Sequence, residues 1–189
     1  MQNCIHIDQM HREVWIPQLP QRIVSLVPSQ TEFLLSIGLG DRLVGRTRFC
    51  IHPANQVKSI ASVGGTKKVD FKRIQALNPD LIIGNKEENS EEDIEALAKE
   101  YPVWMSDIVG VKDALDMMHQ LGEILGLSKH ANDLVQRIEQ GFQELNSKTL
   151  TPPIRVAYAI WKDPWMFAGK NTFIDEMLQL AGFINVIEE

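Results

Sequence analysis

The chain has 189 residues, 44% apolar and 23% charged, with a net charge of −6. This is the mix of an ordinary globular protein; acids and bases are interspersed, which disfavours a nucleic-acid partner, since that would need a basic face. No apolar run reaches bilayer-spanning length, so membrane insertion is not expected, and two cysteines, Cys4 and Cys50, are too few for a disulfide framework and read as reduced.

Residues 1–20 hold His, Asp, Arg and Glu with no apolar core, so they do not read as a signal peptide. The expectation is a cytoplasmic protein, or a periplasmic one if a leader was removed. "IHIDQMHREVWI" (5–16) reads as two short strands around a polar turn, and "PQLPQR" as a stiff connector. "IVSLVP" is a short continuous apolar run, the mark of a buried parallel strand. "SQTE" then predicts a capping box, with Ser29 at the N-cap and Glu32 at N3, opening a helix that stops at Gly38 or Gly40. "RLVGRTRF" is the next strand, "DFKRIQALNP" a helix ended by Asn78-Pro79, and "DLIIGN" a strand. Ser90 to Tyr101 is a helix with a second box formed by Ser90 and Asp93, and "PVWMSDI" is a strand. The alternation predicts a parallel four-stranded sheet over residues 21–110, with helices on its faces.

From residue 111 the pattern changes. Two helices follow without a strand between them, the second running over 128–148. "TPP" (151–153) is a breaker. "IRVAYAIW" (154–161) starts a new strand and "NTFIDEMLQLAG" a new helix, after which only seven residues remain past Gly182. One strand and one helix cannot cover both faces of a sheet. Ile174, Met177, Leu178 and Leu180 therefore need cover from elsewhere, and a homodimer through this unit is one way to supply it.

"PQRIVSLVPSQTEFLLSIGLGDRLVG", "RIQALNPDLIIG", the long helix and "WKDPWMFAGKNTFIDEMLQLAG" together resemble the class III periplasmic binding proteins, receptors for cobalamin, haem and iron–siderophores. The resemblance covers nearly the whole chain from residue 20. It implies an α/β fold: a parallel-sheet N-terminal lobe (1–126) with helices on both faces, a long linker helix (127–150) and the start of a second, incomplete α/β lobe (151–189). It implies a ligand held between lobes at the carboxyl ends of the strands. It also implies a place for ABC permease docking on the helix matching "VDFKRIQAL". Transporter-linked members carry an acidic residue there, and Lys72 stands at that position, which argues against docking through this helix.

Four turns are expected at one edge of the sheet, because parallel neighbours bring their carboxyl ends together. They are "PSQT" (28–31), "RFCIHP" (48–53), "VGGTKK" (63–68) and "NKEEN" (85–89). A fifth, "WKDPW" (161–165), comes from the second lobe. The candidate ligand contacts are Ser29 and Gln30 at a helix start, Arg48 and Phe49, Lys67 after a Gly-Gly turn, Asn85, Lys86 and Glu87 at a strand tip, and Trp161 and Trp165 as an apolar wall. Lys86 and Glu87 are expected near Phe49, Cys50, His52 and Lys67, paired with each other or with Lys67. Cys50 and His52 alternate on an extended segment, and a thiolate with an imidazole suits zinc or iron.

No nucleophile–base motif or phosphate loop is present, so an enzyme is not expected. The leading reading is a binding protein for a small-molecule metal chelate: cobalamin, haem or a ferric siderophore. The alternatives are a metal-dependent enzyme or metallochaperone using Cys50, His52 and a glutamate around a bound transition metal, and an interaction module completed by a second chain.

Overall fold

The structure is a computed structural model that describes residues 3–146 and 152–188. A hairpin of β1 (Asn3–Ile7) and β2 (Glu13–Pro17) comes first, as expected. Its turn is tied by Asp8, whose Oδ1 accepts from the Met10 and Arg12 amides and whose Oδ2 pairs with the Arg12 guanidinium at 2.7 Å.

The α/β alternation then follows: β3 (Ile23–Ser25), α1 (Pro28–Ser36), β4 (Leu43–Arg46), α2 (Ala54–Val57), β5 (Ala61–Ser62), α3 (Phe71–Leu77), β6 (Leu81–Asn85), α4 (Glu91–Ala98) and β7 (Val103–Ser106). These strands form one sheet in the order β5-β4-β3-β6-β7, with every neighbouring pair parallel. The sheet has five strands where four were expected. The extra one, β5, is two residues long at the edge beside β4, too short to show any periodicity. Its core is the apolar set predicted by continuous rather than alternating runs: Val24, Leu26, Ile82, Val103 and Met105 from the strands, with Ile74, Ile94 and Leu97 from α3 and α4.

Both expected capping boxes are absent. α1 begins at Pro28, whose fixed φ suits the first helical position, so the cap is Val27 and Ser29 lies inside the helix. Ser90 does cap α4, but its side chain accepts no bond, and the Asp93 carboxylate takes the Val69 amide instead (3.0 Å). α3 is capped by Asp70, which accepts from the Arg73 amide, and ends at left-handed Asn78 before Pro79.

α5 (Val111–Ile124) and α6 (Ser128–Asn146) follow; α6 is continuous as far as the described residues run, and the expected end at 148 lies outside them. The expected strand 154–161 is two: β8 (Ile154–Val156) and β9 (Ala159–Trp161). They separate because they take different partners. β9 pairs antiparallel with β10 (Met166–Phe167), whereas β8 pairs parallel with β11 (Phe183–Asn185), which follows α7 (Phe173–Leu180). The described chain divides into two compact units. One runs to Asp107 and includes Met117–Ala131; the other comprises Ile108–Asp116 and the residues from Asn132 onward.

Within the second unit Ile174, Leu178 and Leu180 are half-buried and Met177 is exposed. The larger exposed apolar side chains are Ile154, Tyr158, Ile160, Trp161, Trp165 and Met166, at 50–63% of full exposure.

Candidate functional site at the carboxyl edge of the sheet

Because β3 to β7 are all parallel, their carboxyl ends share one edge. The edge has a buried polar layer and an exposed rim.

The buried layer consists of amides and hydroxyls. Gln30, 1% exposed, donates from Nε2 to Ser106 Oγ (2.7 Å) and the Gly84 carbonyl (3.1 Å). Asn85 donates to Ser106 Oγ (2.9 Å), and its Oδ1 accepts from the Glu87 and Glu88 amides, which folds the strand tip into a turn. Asn89 accepts from the Asn85 amide (2.8 Å) and donates to the Leu26 and Thr66 carbonyls (3.3 and 3.1 Å). One side chain thus ties β6, the end of β3 and the 63–69 loop together. Gly84 is required beneath it: a Cβ there would meet Asn89 Oδ1 at 2.8 Å and Met105 Sδ at 2.7 Å. Gln30 and Asn85, expected as ligand contacts, are therefore part of this support.

The 63–69 loop turns at Gly64, whose φ of +108° places it in the left-handed region. Arg48 N donates to the Gly64 carbonyl and Gly65 N to that of Lys68. Above this loop stand Phe49, half exposed, and the Arg48 guanidinium, 4.9 Å from the Phe49 ring centroid. Ile51 beside them is 59% exposed. Lys67 Nζ reaches across to the Glu87 carbonyl oxygen. Ser29, Arg48, Phe49, Lys67, Lys86 and Glu87 are all exposed on the rim.

Two expectations are corrected here. Lys86 pairs neither with Glu87 nor with Lys67. It bonds Asp107 at the end of β7 (2.8 Å), and that hydrogen bond, with the carboxylate's charge, raises the Lys86 pKa above its ordinary value. Lys67 takes the backbone of Glu87, not its carboxylate. The Cys50–His52 pair is not a metal site in this arrangement: Cys50 is buried, its sulfur 3.1 Å from both Thr31 Oγ1 and Thr47 Oγ1, whereas His52 is exposed. No group of three potential ligands that could hold a metal exists among the described residues. The thiol serves as a small buried hydrophobe with hydroxyl neighbours.

In the second unit, Trp161 and Trp165 are the most exposed large apolar residues, on the β9–β10 hairpin. Trp165 stacks on Phe167, with centroids 6.2 Å apart and planes 20° from parallel. Tyr158, Met166 and Phe167 widen this aromatic surface and were not singled out from sequence. Ile51, Asn89 and Asp107 were also missed. Asn89 was legible only as an Asn four residues beyond a strand-ending Asn.

The family model for periplasmic binding proteins matches residues 23–189. The chain belongs to the periplasmic binding protein family. The family is one of binding proteins, not of enzymes. The chain is 29% identical over 182 residues to an uncharacterised ABC transporter substrate-binding lipoprotein, YvrC, of Bacillus subtilis strain 168, covering 92% of this chain and 57% of that one. It is 28% identical to a vitamin B12-binding protein of Pectobacterium atrosepticum, covering 90% of this chain and 63% of that one. Among solved structures, the periplasmic vitamin B12-binding protein BtuF of Vibrio cholerae shares the fold, with a TM-score of 0.78, 24% identity, and coverage of 92% of this chain and 68% of that one. The expected cytoplasmic location finds no support in these names, one of which is that of a lipoprotein and one that of a periplasmic protein. No helix of the described residues is long and apolar enough to cross a membrane.

Proposed function

We propose that this protein is a substrate-binding protein of the ABC-transporter type, acting outside the cytoplasm on a metal chelate of the cobalamin, haem or iron–siderophore class. The N-terminal lobe (1–126) supplies the carboxyl-edge rim, residues 127–150 the linker, and 151–189 the start of the second lobe. Arg48, Phe49 and Ile51 contact the ligand, with Ser29, Lys67, Lys86 and Glu87 around them, and Trp161 and Trp165 are the exposed aromatic candidates of the other unit.

The observation that carries this reading is Phe49. An aromatic ring half exposed at the carboxyl edge of a parallel sheet, with a guanidinium stacked on it, offers a flat apolar surface and a cation together. The names of the relatives, which include vitamin B12-binding proteins, favour the same ligand class.

The test is an absorbance titration of the protein with cyanocobalamin, haemin and a ferric siderophore, all coloured. One of them should bind saturably. Phe49→Ala should weaken it about four- to twelve-fold, since covering the exposed half of the ring contributes roughly 0.8–1.5 kcal/mol. No saturable binding of any of the three, or an unchanged affinity in Phe49→Ala, overturns the reading.

A further inference from the structure

The guanidinium of Arg48 differs from those of the other arginines in the first unit. Arg12, Arg22, Arg42, Arg46 and Arg73 each donate to a backbone carbonyl, and Arg12 and Arg73 also pair with an aspartate. In this unit Arg48 alone, among the described residues, donates from its guanidinium to no protein acceptor and pairs with no carboxylate.

The residue is nonetheless held in place. Its amide donates to the Gly64 carbonyl at 2.8 Å, and its guanidinium stacks on Phe49. A Cβ on Gly65 would lie 3.4 Å from the Phe49 ring and 3.6 Å from Arg48 Nη2, so both groups lie close over bare glycine backbone. Stacking orients the guanidinium and uses none of its N–H donors. Those donors stand beside a ring that is half exposed.

No carboxylate neutralises this cation. Asp107 is taken by Lys86, and Asp93 by the Val69 amide. Glu87 and Glu88 stand on the 85–89 turn, which Lys67 reaches through the Glu87 carbonyl, and neither pairs with Arg48. The start of α1 adds to the positive side. Thr31 in its first turn lies 3.1 Å from the Cys50 sulfur, and the helix opens with no side-chain cap and no acidic residue in that turn. The whole chain carries a net charge of −6, so an anion at this rim is held by local groups against the overall field.

We propose that the chelate bound at this rim is one whose edge carries anionic oxygens, as carboxylates or catecholates do, with Arg48 holding such an oxygen while Phe49 covers the flat part of the ligand. The proposal rests on the chelate reading above and narrows it. A guanidinium can grip a pair of anionic oxygens with parallel N–H bonds, and such charge-assisted bonds are about twice as strong as those to an uncharged acceptor. Haem, edged by carboxylates, and a catecholate siderophore gain this bond. Cobalamin, edged mostly by uncharged amides, does not.

The test is an absorbance titration of the full protein with two matched pairs and cyanocobalamin. The pairs are haemin with its dimethyl ester, and a ferric tris-catecholate with an uncharged ferric tris-hydroxamate. Haemin or the tris-catecholate should bind saturably, at least about ten times more tightly than its uncharged counterpart and than cyanocobalamin. Whichever does so shows whether carboxylate or catecholate is the group held. Arg48→Ala should bring the anionic and uncharged members close to parity, and Arg48→Lys, which keeps the charge without the planar fork, should retain part of the preference. The urea midpoint should not move in either variant, because the guanidinium has no protein acceptor to lose. An uncharged chelate or cyanocobalamin that binds as tightly as the anionic ones overturns this inference and leaves the chelate reading standing. So does a preference unchanged in Arg48→Ala. No saturable binding of any of these chelates overturns both.

Discussion

Asn89→Ala tests the claim that buried amides, rather than the charged turn above them, hold the carboxyl edge. The side chain is 5% exposed and makes three hydrogen bonds, to the Asn85 amide and to the Leu26 and Thr66 carbonyls. Truncation leaves all three backbone groups without that partner. An unsatisfied buried group costs about 1–3 kcal/mol. The carbonyls sit at longer distances, and the 63–69 loop is near enough to the surface for water to reach Thr66. The expected loss is therefore about 3 kcal/mol rather than the sum of three full penalties. Urea unfolding followed by tryptophan fluorescence reads the first unit selectively, because Trp104 in β7 is fully buried whereas Trp15, Trp161 and Trp165 are more than half exposed. The midpoint should fall with little change in slope. A loss under about 1 kcal/mol, the value of a single ordinary hydrogen bond, would refute the assignment of Asn89 as the tie between the three loops.

Lys86→Ala and Glu87→Ala should each shift stability by less than about 1 kcal/mol, because the Lys86–Asp107 pair is largely exposed; in the chelate titration they should nevertheless weaken binding. Gly64→Ala should destabilise by about 1–3 kcal/mol in the same urea assay, since its φ is +108° and its Cβ would meet the Asp70 amide and the Lys68 carbonyl at 2.9 Å. Asp8→Ala removes the partner of three amides and of the partly exposed Arg12 guanidinium, and a loss of about 3 kcal/mol is expected, mainly from the amides left without it. The exposed Ile154, Ile160, Trp161, Trp165 and Met166 predict concentration-dependent self-association in sedimentation equilibrium. A monomer at every concentration would exclude the homodimer.

The α/β alternation was readable because each central strand is a continuous apolar run bounded by a cap or a breaker, as in Leu81–Asn85 between Pro79 and the charged turn. What failed was short-range hydrogen bonding. "SQTE" has the spacing of a capping box, yet Pro28 fixes the helix start two residues earlier, and the serine loses the role. "SEED" has it too, yet Asp93 finds the Val69 amide in a neighbouring loop, a partner twenty-four residues away that local spacing cannot show. The strand 154–161 failed for a similar reason: its two halves serve different neighbours, Phe183–Asn185 and Met166–Phe167, and a run of apolar residues carries no record of partner choice. Among the candidate residues, Phe49 was legible as an aromatic in a turn, whereas the buried bonding of Gln30 and Asn85 was not, because polar residues at strand ends look the same whether they face solvent or a neighbouring loop.

The burial of these amides has a physical consequence for how the edge is held. Its permanent structure is built from uncharged groups, Gln30, Asn85, Asn89 and Ser106, each buried and bonded to backbone or to another of the set. Neutral amides can be buried when bonded, whereas a buried charge is costly unless closely paired. The charges, Arg48, Lys67, Lys86 and Glu87, lie above in solvent, where pairing contributes little to stability. Rim residues can therefore change with little effect on folding, and a change in the amide layer would disturb the ends of β3, β6 and β7 and the 63–69 loop together. Ligand preference should accordingly be alterable by substitution at Arg48 and Phe49 with stability nearly constant, whereas substitutions in the amide layer should lower stability and binding together. A series in which rim variants lost stability in proportion to affinity would show that the two layers are not separate.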